Sequence, residues 1–274
     1  MPRHNFEESG QEDPLTFATR ERDRHILQVV RGALSTNNCT LAFQPVFSAV
    51  SGEVAFHEAF IRILDSTGRI IPAAQFMPVT ELDELGRVID STALRLGMKT
   101  LAEQPNLRLS INMSARSIGY PPWIRVLKRW LREDATIGER LILEINEASA
   151  MQVPELVKVF MTELQDAGIT FALDDFGADM TSFGHLKQLY FDVMKIDADF
   201  VRDCDTDPNN QCMLGALIAL AQELDMFTVA EAVETQAEAD FLTRLGIDCM
   251  QGYAFASPSA ELRTKEVEER KMTG

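Results

Sequence analysis

The chain has 274 residues, with 42 Asp or Glu against 26 Lys or Arg and a formal net charge of −16 at pH 7. That charge argues against general electrostatic binding to DNA, RNA or anionic membranes, though not against an anionic small substrate whose site is neutralised by a metal or a basic group. With 46% hydrophobic and 25% charged residues, disorder throughout is excluded, and the length suits an α/β barrel, which typically needs about 250 residues.

Cys39, Cys204, Cys212 and Cys249 form no C-x-x-C pair, so neither a zinc ribbon nor a redox dithiol is expected. Residues 1–14 are polar and acidic with no apolar leader segment. The apolar run at 26–34 is broken by Arg31 and is too short to span a bilayer. A cytoplasmic protein with reduced thiols and no membrane association is the expectation.

In chain order, residues 1–20 read as a flexible acidic tail. Ile26, Val29, Val30 and Ala33 then give a helical pattern over 21–33. Eight short β-type runs follow, at 41–47, 54–63, 107–111, 141–145, 169–173, 193–196, 227–230 and 247–250. Helical patterns lie between most of them, at 85–101, 123–131, 154–167, 212–224 and 236–245. From the third run onward this is the repeat of βα units. Eight such strands predict an α/β fold of the (β/α)8, TIM-like barrel type, with the domain over 21–260. Only a short turn (48–52) separates the first two strands, so an antiparallel first strand is expected. An open doubly wound sheet is the alternative; against it, no G-x-G-x-x-G follows any strand. Residues 261–274 read as a charged tail.

The chemistry-bearing residues fall near strand ends. The first strand carries Gln44, the second Glu58 and Arg62, and the third ends at Asn112. The later strands contribute Glu144 and Glu147, the tandem Asp174 and Asp175, Lys195 and Asp197, Glu231 and Glu234, and Gln251. In a barrel the C-terminal strand ends open onto one face. Glu58, Asn112, Glu144, Asp174, Asp175 and Glu231 would converge there. Five carboxylates in one pocket repel one another unless cations are bound. All-oxygen ligands select hard ions, so Mg²⁺ or Mn²⁺ is expected, with enough ligands for two per site. Such a pair suits in-line phosphoester hydrolysis. Lys195 would orient or deprotonate a water, or pair with a phosphate oxygen.

The remaining candidates read as structural. Alternation points His57 away from the face of Glu58. His4, His25 and His185 have no partners at metal-ligand spacing. Met77, Met98, Met113, Met161 and Met194 fall in apolar patterns and read as core. Trp123 and Trp130, seven apart, share a helix face and read as core packing rather than a stacking platform.

Taken together, these motifs resemble the EAL-domain phosphodiesterases, which hydrolyse the bacterial second messenger cyclic di-GMP. The similarity runs from about residue 41 to 258. It is carried by F-Q-P at 43–45, E-A-F-I-R at 58–62, N-M-S at 112–114, L-E-I-N-E at 143–147 and L-D-D-F-G at 173–177. K-I-D at 195–197, A-E-A-V-E-T at 230–235 and Q-G-Y at 251–253 complete the order.

The resemblance implies hydrolysis of cyclic di-GMP to linear pGpG by two-metal attack of water. Glu58, Asn112, Glu144 and Asp174 would hold a first metal, with Asp174 bridging. Asp175 and Glu231 would serve a second. Lys195 and Glu231 would be the catalytic groups, and Gln44, Arg62, Asp197 and Gln251 substrate or supporting contacts. Glu147 would anchor the loop after the Asp pair. A homodimer is implied as well; a regulatory protein partner is expected separately, because residues 1–40 are too short for a standard sensor domain. Three departures stand out: Phe60 for the Leu of the name motif, Ala232 for a Gly, and Asp179 for a Gly in the loop. The divergent loop at 177–182 implies reduced turnover. The competing expectation is a catalytically weak or inactive cyclic di-GMP receptor or protein-interaction module. An enolase-like lyase fits the tandem Asp and Asn112 poorly.

Overall fold

A computed structural model describes residues 14–81, 83–178 and 183–262. The strands are β1 (Cys39–Ser48), β2 (Val54–Leu64), β3 (Ile70–Ile71), β4 (Leu109–Asn112), β5 (Leu141–Asn146), β6 (Thr170–Phe176), β7 (Val193–Ile196), β8 (Phe227–Ala230) and β9 (Cys249–Met250). Their order is β1-β9-β8-β7-β6-β5-β4-β2-β3, and a further β1–β2 pairing closes the ring. The two-residue β3 only extends a hairpin from β2. The other eight strands form the barrel that the sequence predicts. β1 runs antiparallel to both its neighbours, β2 and β9, as the short 48–52 connection requires.

The helices are α1 (Pro14–Ser35), α2 (Ala73–Thr80), α3 (Glu84–Glu103), α4 (Pro121–Glu133), α5 (Glu147–Gln152), α6 (Pro154–Gln165), α7 (Phe183–Leu186), α8 (Ala198–Val201), α9 (Pro208–Glu223) and α10 (Gln236–Leu245). Local chemistry sets their ends. Pro opens α4, α6 and α9, where a missing N–H costs nothing. Asp83 caps α3 through the Leu85 amide. α10 starts in a Thr235–Glu238 capping box and stops at Gly246, which has a left-handed φ of 92°.

The start of the first helix differs from the sequence reading. Helix α1 begins at Pro14 rather than near 21, so residues 14–20 are helical and not tail; Pro is favoured at a first turn. Residues 1–13 and 263–274 lie outside the described residues. Helix α2 has no counterpart among the sequence patterns, and it carries Pro78 in its interior, a residue that ordinarily interrupts a helix. Among the described residues, no helix is long and apolar enough to cross a membrane.

Strand alternation divides the core and places the site. Leu109, Ile111, Leu141, Leu143, Ile145, Phe171, Leu173, Met194 and Ile196 belong to the large cluster that also holds Leu94, Met98, Trp123, Phe160 and Leu217 of the helices. Each fully buried side chain of this kind contributes about 1.5–3 kcal/mol. Residues of opposite parity, Val46, Phe56, Ile142, Ala172, Val193 and Val229, form a separate small cluster within the ring. Side chains two apart on a strand share a face. One step further toward the C-terminal ends, the same faces therefore carry Glu58, Glu144, Asp174, Lys195 and Glu231. β1 runs the other way, and its register of Val46 with Phe56 and Gln44 with Glu58 brings Gln44 to the same level. The polar site thus rests on an apolar floor.

Candidate active site

Lys195 is the centre of the polar layer. Its Nζ lies 2.6 Å from Asp174 Oδ1, 2.8 Å from Glu144 Oε2, 2.8 Å from Glu231 Oε1 and 3.1 Å from Glu58 Oε2. The lysine is 1% exposed and Glu144 is fully buried. Glu58 accepts two further bonds, from Asn112 Nδ2 at 2.7 Å and from Gln251 Nε2 at 2.9 Å. Gln251 Nε2 also reaches Gln44 Oε1, and Gln44 Nε2 donates to the Ala256 carbonyl. Above this layer opens a cavity of about 520 Å³, lined among others by Gln44, Glu58, Phe60, Arg62, Asn112, Asp174, Asp175, Glu231, Glu234, Gln251 and Tyr253. That is the size range of small-molecule sites.

One ammonium does not neutralise five carboxylates. Burial and the repulsion of Glu58 push the Glu144 carboxyl well above its usual range. Burial outweighs the pull of Lys195 at Glu231, whose carboxyl rises to about 8, and at Asp174, which also rises. Glu58 goes the other way. Burial would raise it, but Lys195, Gln251 and Asn112 together hold it below the ordinary value. Burial also works against the Lys195 charge, and the four carboxylates override it, so the ammonium is held firmly. Without a further cation the cluster keeps protons that a divalent ion would displace.

Two observations test whether the residues fit such an ion. Glu144 Oε1 is buried with no hydrogen-bond partner among the described residues, as are Gln251 Oε1 and Glu147 Oε1. Asp174, Asp175 and Glu231 bring one carboxylate oxygen each within 4.8 Å of one another. Hard oxygen donors in this number suit Mg²⁺, Mn²⁺ or Ca²⁺ rather than a soft metal.

The tandem Asp pair depends on a backbone irregularity. Consecutive strand residues point to opposite faces, yet both Asp174 and Asp175 line the cavity. The register between β6 and β7 shifts between Leu173 and Phe176, and Asp175 adopts a left-handed φ of 53°. Asn146 Nδ2 donates to Asp175 Oδ2 at 2.7 Å. Glu147 Oε2 accepts from the Gly177 amide at 2.9 Å. Gly177 has φ of 95°, and a Cβ there would lie 2.5 Å from the Phe200 ring; only glycine fits.

Every candidate metal ligand named from the sequence therefore enters one connected cluster. Gln44, Arg62 and Gln251 line the cavity, and Glu147 reaches the loop after the Asp pair. Asp197 is placed differently: its carboxylate caps α8 through the Asp199 amide and it is not among the lining residues. Met77, read as core, is 44% exposed and lines the cavity, because α2 brings it over the mouth. His57 is buried and outside the cavity lining. Two further residues stand at the site without a role assigned from the sequence. Asn146, quoted above only within L-E-I-N-E, shares the strand face of Glu144, a signal that alternation carries. Asp90 lines the cavity from α3 and accepts from the Ser114 amide and Ser117 Oγ; no local pattern marks it. Residues 179–182, including Asp179, lie outside the described residues.

The EAL domain family model matches residues 27–258. The chain belongs to the EAL domain family. A cyclic di-GMP phosphodiesterase of Escherichia coli (strain K12), PdeR, is 31% identical over 233 residues, covering 84% of this chain and 35% of the relative. The bifunctional diguanylate cyclase/cyclic di-GMP phosphodiesterase MucR of Pseudomonas aeruginosa is 28% identical over 246 residues, covering 88% of this chain and 36% of the relative. The chain thus spans about a third of the length of these curated relatives. Among solved structures, the FimX EAL domain of Pseudomonas aeruginosa bound to cyclic di-GMP superposes with a TM-score of 0.80 at 28% identity, covering 88% of this chain and 98% of that one.

This EAL domain has two local features of its own. Phe60 lies in the name motif, and the Arg62 guanidinium sits 5.5 Å from the centre of its ring, a cation–π arrangement. Ala232, directly after Glu231, takes a left-handed φ of 50°.

Proposed function

We propose that the chain is a divalent-cation-dependent phosphodiesterase that opens cyclic di-GMP to linear pGpG. The observation that carries this reading is the cluster itself: Glu58, Asn112, Asp174, Asp175 and Glu231 line one cavity, with Lys195 and Glu144 buried against them, in a chain whose relatives are named as cyclic di-GMP phosphodiesterases. Such a cavity repels a phosphodiester anion until cations neutralise it.

Glu58, Asn112, Glu144 and Asp174 would hold one Mg²⁺ or Mn²⁺, and Asp175 and Glu231 would hold a second. When bound, these ions supply charge neutralisation at the phosphate and lower the pKa of a nearby water. Lys195 shares its three N–H donors among four carboxylates in the metal-free cluster; once those carboxylates are taken up by cations, a released donor would orient the attacking water or steady a phosphate oxygen. Glu231, whose Oε1 lies 2.8 Å from Lys195 Nζ, would take the proton that the water gives up. The water oxygen bonds to phosphorus, the bond from phosphorus to the 3′ oxygen breaks, and that oxygen takes a proton. Gln44, Arg62 and Gln251 line the walls against which the dinucleotide seats.

The test is turnover of cyclic di-GMP with Mn²⁺, with Mg²⁺ and with a chelator, resolving substrate from pGpG by ion-exchange chromatography. Metal-dependent pGpG formation, abolished in Glu58→Gln, is expected. Tight binding of the dinucleotide without product in any metal would overturn the catalytic reading and make the chain a receptor.

A further inference from the structure

We propose that Asn146 is a positioning residue that aims Asp175 at the bound cation. The inference rests on the reading that the carboxylate cluster holds a divalent ion, and extends it to a residue outside the ligand set.

Asp175 is an unusual ligand because a regular strand would turn it away from Asp174. The register shift after Leu173 and the left-handed backbone at Asp175 bring it round. A left-handed residue without glycine needs support from its surroundings. Asn146 supplies it. β5 pairs in parallel with β6, with Asn146 beside Asp174, so its amide reaches across to Asp175 Oδ2 at 2.7 Å. Next in sequence, Glu147 Oε2 holds the Gly177 amide two residues beyond Asp175. The end of β5 therefore grips the turn at both the carboxylate and the backbone.

The chemistry of the amide matters. A neutral donor occupies one oxygen of Asp175 without adding charge to a crowded acidic cluster. It engages Oδ2, one of the two carboxylate oxygens, and fixes the side-chain rotation. Groups that orient a ligand in this way typically change metal affinity by about 10- to 100-fold when removed.

The experiment is calorimetric titration of the metal-free full chain with Mn²⁺, with thermal unfolding recorded in parallel. Asn146→Ala and Asn146→Leu are the variants; the second matches the side chain in size and keeps the test open if alanine does not fold. Each folded variant is expected to bind Mn²⁺ about tenfold more weakly. Installing Asn146→Leu in an Asp175→Ala background is expected to cause no further loss. Wild-type Mn²⁺ affinity in a folded Asn146 variant, even with a lowered unfolding temperature, overturns the inference and leaves the residue a purely structural role. A further tenfold loss in the Asp175→Ala background overturns it as well. Failure of the unaltered chain to bind Mn²⁺ overturns the cation reading itself, a result distinguishable from the other two.

Discussion

A Cβ on Gly252 would lie 2.1 Å from the carbonyl oxygen of Val233. The loop after Glu231 and the end of β9 are therefore pressed together backbone to backbone. The Val233 amide donates to the Gln251 carbonyl, and Ala254 donates back to Val233. Gln251, held by this contact, supplies one of the hydrogen bonds to Glu58. Gly252→Ala is expected to destabilise the fold by about 1–3 kcal/mol, as overpacking does. Thermal unfolding measures it, and a midpoint equal to wild type would show that the two segments can separate at no cost.

Ala232 lies in the same loop and carries the opposite lesson. Its φ of 50° is left-handed, a conformation in which a Cβ crowds the following carbonyl at a cost of about 1–2 kcal/mol. Ala232→Gly relieves the crowding and loses some of the gain to the greater freedom of the unfolded glycine. A net stabilisation of about 0.5–1 kcal/mol is expected by denaturant titration. A loss of stability would mean that Ala232 is not strained.

Asp90 predicts a pH dependence. Burial pushes its carboxyl up to about 6 against the bonds from Ser117 and Ser114. The folded chain then keeps a proton that the unfolded chain has released. The contribution of this group is fully present below pH 4 and is lost as the pH rises through about 6. Both hydrogen bonds reach the same oxygen, Oδ2, so the carbonyl of Asn can accept them. Asp90→Asn is expected to gain stability relative to wild type as the pH rises from 4 to 7. A constant difference across that range would refute the assignment.

Lys195 links stability to the cation. Replacing it with Met leaves four carboxylates without their shared counter-charge, and breaking such a buried arrangement costs about 3–5 kcal/mol. The metal-free Lys195→Met chain is expected to unfold earlier, and Mn²⁺ is expected to raise its midpoint more than that of wild type. Cyclic di-GMP turnover is expected to fall at least about 100-fold. Equal Mn²⁺ responses in the two chains would show that lysine and metal do not answer the same charge.

Much of this molecule is visible in the order of its residues. Apolar runs ending in Glu58, Asn112, Glu144, Asp174 and Glu231 mark both barrel and site. A strand of fixed alternation carries the parity of its floor residue to its end, so Ala172 below implies Asp174 above. The antiparallel first strand follows from a connection too short for a crossover. These are local consequences of pleat and chain length.

What only the tertiary structure decided involves groups distant in sequence or backbone off the regular pattern. The turn of Asp175 into the cavity depends on a register shift against β7 and a donor from β5. The family resemblance implies a substrate or supporting contact for Asp197, while in the folded chain its carboxylate caps α8 through the Asp199 amide. Asp90 and Met77 sit at the mouth because α2 and α3 pack there, and nothing in their own neighbourhoods records the cavity. Periodicity is a property of a segment and shows in the sequence. A hydrogen bond between two strands, or the protons shared among four carboxylates and one lysine, is a property of distances that exist only when the ring has closed.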